Sequence, residues 1–377
     1  CVKEHQETFY ILCGWMTEKD ALAFQKDIED DARLFCIIED DQNNIRTQPP
    51  TKLKNPKVFK PFEMYVKMYG LPAYNEMDPT MFVAITYSFI FGAMFGDVGQ
   101  GLVLFLGGLF LYKTKKMDLA GIISCAGVFS VFFGFMYGSF FGFEDVLKAI
   151  WLKPMNQMMD VPLVGRLNAV FVIAIGFGMF IILICMIFNI INSLRNKDVE
   201  KAWFDSNAVA GLVFYGSIVL TVGLFISGKK LPATAVLVVM FGVPLLLMFL
   251  KEPLTNLVEK KSEIFPEQKG MFFVQSFFEL FEVLLSYLSN TLSFLRIGAF
   301  AVSHAAMMEV VLMLAGATNG GSPNWVVVVL GNIFVCAMEG LIVGIQVLRL
   351  EYYEIFSRFY AGNGREFKPF MKAAHKN

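Results

Sequence analysis

Two long apolar runs, residues 271–316 and 325–360, dominate the last third of the chain. A helix needs only ~20 residues to cross a bilayer. These runs would extend roughly 69 and 54 Å as straight helices. Unless broken, each must tilt steeply or project beyond the membrane. The first contains the stretch SNTLSFLRIGAFAVSHAAMMEVV, with Arg296 near its middle, and the second carries Arg349. A charged side chain at the centre of a membrane helix costs roughly 2.5 to 3.5 kcal/mol. Both arginines are therefore candidates for function.

Composition agrees with a membrane protein. The chain is 56% hydrophobic, only 17% charged and contains 40 Phe. Soluble domains are usually about 25% charged, and a soluble chain of this length could not hide so much apolar surface. The net charge of −1 gives no reason to expect a nucleic-acid partner. Cys125, Cys185 and Cys336 lie inside apolar runs and read as small hydrophobes. Cys1, Cys13 and Cys36 show no metal spacing, and no disulfide framework is expected. With Cys1 first and no signal peptide, the sequence reads as a fragment with its beginning missing.

Two domains are expected. Residues 1–77 read as the distal part of a cytosolic N-terminal α/β domain plus a linker. In it, TFYILCGWM is a strand, KDALAFQKDIEDDA an amphipathic helix and RLFCIIED a second strand. RTQPPTKLKNPKVFKP is the linker. Residues 78–377 read as an all-α polytopic membrane domain of eight transmembrane helices, the last two long and tilted. The spans fall near 80–96, 99–112, 119–142, 168–193, 206–227, 231–250, 271–316 and 325–360. The first pair is separated only by GDVGQG, a tight turn or a break, where Asp97 is placed to cap or brace. Lysines and arginines cluster in alternate loops, among them Lys113, Lys115, Lys116, Arg195, Lys197, Lys201, Lys251 and Lys260, and in the C-terminal tail. The positive-inside rule then puts both termini in the cytoplasm. Gly134, Gly138 and Gly142, four apart, read as a helix-packing face, and 143–167 as an external interfacial loop.

Polar positions in the seventh run step alternately by four and three: Gln275, Glu279, Glu282, Ser286, Ser289, Ser293, then Arg296. Such alternation keeps them on one helix face. Beyond the arginine the run is mostly apolar, apart from Ser303, His304 and Glu309. In the eighth run Asn332, Glu339, Gln346 and Arg349 form a stripe descending from the opposite side. Two half-paths, one from each face, would then end at two arginines. Polar stripes also serve as hydrogen-bond glue between membrane helices. Glu282, Arg296, Glu339 and Arg349 together are hard to account for as packing.

SNTLSFLRIGAFAVSHAAMMEV resembles the seventh membrane helix of the a subunit of vacuolar-type ATPases, called subunit I in archaeal and bacterial V/A-type ATPases. MEGLIVGIQVLRLEYYEIFSRFYAGNGREFKPF resembles its eighth helix and tail, and GAMFGDVGQG and PPTKLKNPKVFKPFEMYVKMYGLPAYNEMDP resemble earlier family segments. The resemblance covers the chain from about residue 45 onward, and GSFFGFE is similar to prokaryotic members. It implies a stator subunit beside a rotating ring of c (K) subunits, each with a buried carboxylate for the coupling ion, H⁺ or Na⁺. Further implied partners are peripheral stalk (E/G-type) subunits, the central stalk adaptor, membrane lipid and, indirectly, the catalytic head. Implied roles are Arg296 facing the ring carboxylate, Arg349 as the second arginine, and Glu282, Glu339 and His304 in the ion path. Where eukaryotic members carry a histidine, this chain has Gln346, which weakens a histidine relay there. No phosphate-cradling loop appears, so ATP chemistry is expected on other subunits and no cofactor on this chain. The expected location is the prokaryotic plasma membrane. The competing reading is a self-contained ion channel or secondary cation transporter, which would show inverted repeats; none is visible.

Overall fold

The computed structural model describes residues 2–6, 9–29, 31, 33–39, 49–143, 146–155, 157–161, 165–260, 269–317 and 323–368. Cys1, Glu144, Lys261 and the tail beyond 368 lie outside the described residues.

At the start, β1 (Val2–Gln6) and β2 (Phe9–Leu12) pair as an antiparallel hairpin. Helix α1 (Glu18–Asp27) follows, started by Thr17, whose hydroxyl accepts from the Asp20 N–H at 3.3 Å. The second strand expected over RLFCIIED does not form, and residues 34–39 are irregular. A strand there would need a parallel crossover, whereas the segment before β2 gives a local antiparallel partner.

The linker ends in α2 (Glu63–Tyr69). The apolar region then builds α3 (Thr80–Met94), α4 (Val98–Lys115), α5 (Asp118–Tyr137), the hairpin β3 (Met158–Val161)–β4 (Gly165–Asn168) and α6 (Ala169–Arg195). A π-helical turn (Glu200–Phe204) leads to α7 (Val209–Ile226), α8 (Thr234–Phe249) and α9 (Lys251–Val258). Last come α10 (Lys269–Ser293), α11 (Leu295–Leu314), α12 (Trp325–Leu350), a second π-helical turn (Glu351–Phe356) and α13 (Ser357–Phe359).

Among the described residues five helices are long and apolar enough to cross a membrane: Asp118–Tyr137, Ala169–Arg195, Glu200–Ile226, Gly270–Leu314 and Trp325–Phe359. A sixth arises if α8 and α9, bent by 73°, count as one span. The structure therefore yields five or six spans by length and composition where the sequence reading expected eight. The difference lies in the first pair. Helix α3 has only 15 residues, short of a straight crossing. Helix α4 is diluted by glycines and by Lys113 and Lys115.

The expected glycine face divides. Within α5, a Cβ on Gly134 would meet the Val98 nitrogen at 2.3 Å, so this glycine lets the start of α4 sit directly on α5. Gly138 instead ends α5 in the left-handed region, at φ +75°. Gly142 lies beyond the helix.

The seventh run is continuous over 45 residues, Gly270–Leu314, but tightens at one point. Phe294 donates its N–H to Thr291 O at 3.3 Å and accepts from the Ile297 N–H at 3.0 Å, both three-residue closures. Its fully buried ring presses on α6, where a Cβ at Gly178 would meet the ring at 2.3 Å. Arg296 follows two residues later. Gly178→Val should therefore displace Phe294 and destabilise the fold by roughly 1 to 3 kcal/mol. Gly176→Val, with nothing within 4 Å of its Cβ, should be tolerated. Thermal midpoints of both variants in detergent check this, and equal midpoints would contradict the wedge.

The linker is tied down at one end of the bundle. Thr51 N–H donates to Arg365 O at 2.7 Å and Gly364 N–H to Leu71 O at 2.8 Å. Asn192, near the end of α6, accepts from Met77 N–H at 3.1 Å and donates to Phe359 O at 3.1 Å. Pro61 packs against Gly121 near the start of α5. This end gathers the lysine-rich α4–α5 turn, the basic end of α6, the linker and the tail.

Candidate functional site

Two polar clusters are built on the last long helices. The first surrounds Arg296, in the opening turn of α11. Its side chain is half-buried, with Nη1 enclosed and without a hydrogen-bond partner among the described residues. The charged groups acting on it are Glu354 and Arg349. Arg349, near the end of α12, is exposed. Below Arg296 the α10 stripe keeps one face. Glu282, Ser286 and Ser289 are exposed and Ser293 is half-buried. Asn290 donates to the Ser286 hydroxyl at 3.3 Å, and the Ser293 hydroxyl to Ser289 O at 3.2 Å. Lower down, Glu279 accepts from Gln275 at 2.9 Å and pairs with Lys251 at 3.1 Å. The opposite face of α10 holds the helix in place. Tyr287 donates to Ser206 O, and Thr291 meets the Tyr215 hydroxyl at 2.6 Å. Among the described residues the stripe is therefore open at Glu282, Ser286 and Ser289, while the helix carrying it is anchored behind.

The second cluster is closed. His304 Nδ1 lies 2.6 Å from Glu339 Oε2, with the two side chains 4% and 2% exposed. The pair joins α11 to α12, and the Phe95 ring lies 4.7 Å from the imidazole, centroid to centroid. Asn332, one step outward on α12, accepts from Gln100 Nε2 at 2.8 Å and donates to Val328 O at 2.9 Å. Asp97 caps α4 through the Gln100 N–H at 2.9 Å. It also accepts from the Ser139 hydroxyl at 2.7 Å and from the Phe141 and Gly142 N–H groups at 3.1 and 3.0 Å. Four donors satisfy this fully buried carboxylate. Asp97 thus braces the α3–α4 turn against the loop after α5. Beside His304 lies a cavity of about 20 Å³ lined by Ser139, Gly142, Ala301, Ala305 and Met308. That is room for about one water molecule. Among the described residues, His304 Nε2 and Glu339 Oε1 have no hydrogen-bond partner.

The sequence stripe on α12 thus divides in space. Asn332 and Glu339 turn inward to α4 and α11, whereas Gln346 and Arg349 stay nearer the surface, half-buried and exposed respectively. Among the described residues no group of three or more His, Cys, Asp or Glu is arranged to hold a metal ion.

The family model described as the V-type ATPase 116kDa subunit family matches residues 1–159 and 250–372. The chain belongs to that family. Curated relatives named A-type ATP synthase subunit I include one from Pyrococcus horikoshii, 29% identical over 387 residues, covering 97% of this chain and 54% of the relative. The Pyrococcus abyssi relative is 30% identical with the same coverage, and the Aeropyrum pernix relative 30% identical over 85% of this chain and 51% of its own length. The chain spans about half the length of these relatives. Family membership and the long apolar helices make it a membrane protein.

Four groups of this V-type ATPase family member escaped the sequence reading. Gln100 was visible only as part of GDVGQG. Glu351, Glu354 and Arg358 follow Arg349 on the second π-helical turn and α13, and are 0%, 5% and 6% exposed. Arg358 donates to Asn207 Oδ1 at 2.9 Å and lies over the Tyr287 ring at 5.3 Å, tying the tail to α10. Their charge within an apolar run was the available signal.

Proposed function

We propose that this chain is the stator a/I-type subunit in the membrane sector of a rotary V/A-type ATPase. Residues 1–77 are its cytosolic part and linker, and residues 78–377 are the ion-translocating membrane domain. It offers two offset half-paths to the carboxylates of a c/K-type ring, with Arg296 between them. Lining the inner path are Glu282, Ser286, Ser289 and Ser293. Asn332, Glu339 and His304 line the outer one, with Gln346 and Arg349 at the junction. The chain carries no ATP chemistry of its own, and H⁺ or Na⁺ passes through. The peripheral stalk and central stalk adaptor hold it against the head, in a prokaryotic plasma membrane with both termini cytoplasmic.

One observation carries this reading. Arg296 stands at the top of a polar stripe whose Glu282, Ser286 and Ser289 are exposed among the described residues, on a helix anchored from behind. A ring carboxylate arriving at that face would meet the half-buried Arg296 guanidinium. The outer cluster supports the same reading, since a buried acid–imidazole pair beside a water-sized cavity can hand on a proton or hold a cation. The basic clusters at the linker end support a cytoplasmic placement of that end.

Glu282→Gln in the complete complex is the test. ATP-driven ion uptake into inverted vesicles should fall several-fold while the complex still assembles, because one acidic step of the inner path is lost. Unchanged uptake would remove Glu282 from the path.

A further inference from the structure

Asn332 and Glu339 share one buried face of α12, but seven residues of helix separate them, a rise of about 10 Å. Buried Val335 fills that face between them. Gln100, in the first turn of α4, reaches into this interval. Its side chain is buried, and Nε2 donates to Asn332 Oδ1 at 2.8 Å and to the Met308 sulfur at 3.2 Å. Asp97 holds its backbone N–H at 2.9 Å. The orientation of the amide follows from its partner. Asn332 donates Nδ2 to Val328 O, so its Oδ1 faces Gln100 and calls for a donor. Gln100 Oε1 therefore lies on the other side, enclosed and without a hydrogen-bond partner among the described residues. Met308 also lines the cavity beside His304, one turn away on α11. Its thioether thus stands between the Gln100 amide and that cavity. Gln100 Oε1, His304 Nε2 and Glu339 Oε1 are three buried polar atoms left unpaired in one connected cluster.

We propose that Gln100 is an ion-path residue supplied by α4, whose amide bridges the interval between Asn332 and the His304–Glu339 pair. The inference rests on the stator reading above. The outer path is then walled by three helices, α4, α11 and α12. Leaving a buried acceptor unpaired is costly, so the free carbonyl marks a place for a passing cation or the water that carries it. An amide carbonyl suits that task, because it is a neutral acceptor with two lone pairs. It can order water beside a moving proton or ligate Na⁺ directly, and it holds neither as tightly as a carboxylate would. Met308 need not block the step, since its unbranched side chain has three rotatable bonds and can swing aside.

The test uses the complete complex and two variants. Gln100→Leu keeps the side-chain volume and removes both polar ends. It should assemble and lower ATP-driven uptake several-fold, with Na⁺ and H⁺ followed separately. A merely structural glutamine could give the same loss, so access is measured as well. Gln100→Cys complexes in sealed vesicles are exposed to Ag⁺ from the outer face, then denatured, and the surviving thiols are labelled with a maleimide. The thiol at position 100 should be consumed several-fold faster than the native cysteines of the parent complex. A thiol there that reacts no faster than the parent's buried cysteines overturns the proposal, whatever the uptake of Gln100→Leu. Wild-type uptake in assembled Gln100→Leu overturns it too. Should Gln100→Leu fail to assemble, the Ag⁺ result decides. Arg296→Ala is run in parallel. Surviving uptake there defeats the stator reading itself, whereas lost uptake there with an unreactive Gln100→Cys defeats only this inference.

Discussion

Arg296→Ala is expected to abolish ATP-driven ion uptake while leaving the complex assembled. The guanidinium stays charged at any relevant pH. Beside a ring carboxylate it favours the ionised form and so expels the bound ion. At 4 Å and an effective dielectric of 20 the attraction is about 4 kcal/mol before desolvation. Each 1.4 kcal/mol is a factor of ten, so losing most of that term should slow ion release by about 100-fold or more. In the proposed function, alanine also removes the positive charge that would block cations from crossing directly between the half-paths. Arg296→Lys should fall between, because a buried lysine can lose its proton and lacks the planar fork. Assembly should survive because Arg296 makes no hydrogen bond or ion pair that holds the fold among the described residues. Uptake and subunit content measured on the same vesicles check this outcome.

The second large effect is expected at His304 and Glu339, where stability and transport should separate. Removing one member of a buried pair leaves the other uncompensated, at roughly 3 to 5 kcal/mol. His304→Ala should therefore lower the thermal midpoint in detergent and reduce uptake together. Replacing both members by apolar residues of similar volume is often neutral or stabilising. His304→Phe with Glu339→Leu should recover the midpoint, since α11 and α12 would still pack through that contact. Uptake should stay lost, because the buried acid and imidazole beside the cavity are both gone. A stable double variant that transports normally would remove the pair from the ion path.

Much of this site was legible because membrane burial makes charge rare. The alternation of four and three residues from Gln275 to Arg296 placed the stripe on one face, which is exposed in the structure at Gln275, Glu282, Ser286 and Ser289. Asn332 and Glu339 were marked out by their stripe and His304 by its run, but their pairings were not. Gln100 and His304 lie 232 and 35 residues away in sequence from the groups they meet, and no periodicity reaches that far. The break beside Arg296 was hidden for a similar reason. Phe294 looks like any apolar residue, and only its wedge against Gly178 of α6 tightens the helix there. Glu354 fell outside the α-helical stripe because its position depends on a local π turn. The eight-span count is not matched by length and composition where segments are short, as in α3, whose helix stops at Met94. The second strand expected over RLFCIIED failed because alternation marks a strand without naming its partner.

The central claim is that Arg296 couples rotation to ion movement. Its most direct measurement is the number of ions taken up per ATP hydrolysed by the complete complex carrying Arg296→Ala, in sealed inverted vesicles, with Na⁺ and H⁺ followed separately. The account predicts a ratio near zero for whichever ion the wild type carries, in a complex whose subunit composition is unchanged. A ratio close to wild type would contradict it, and would make the arginine a structural residue.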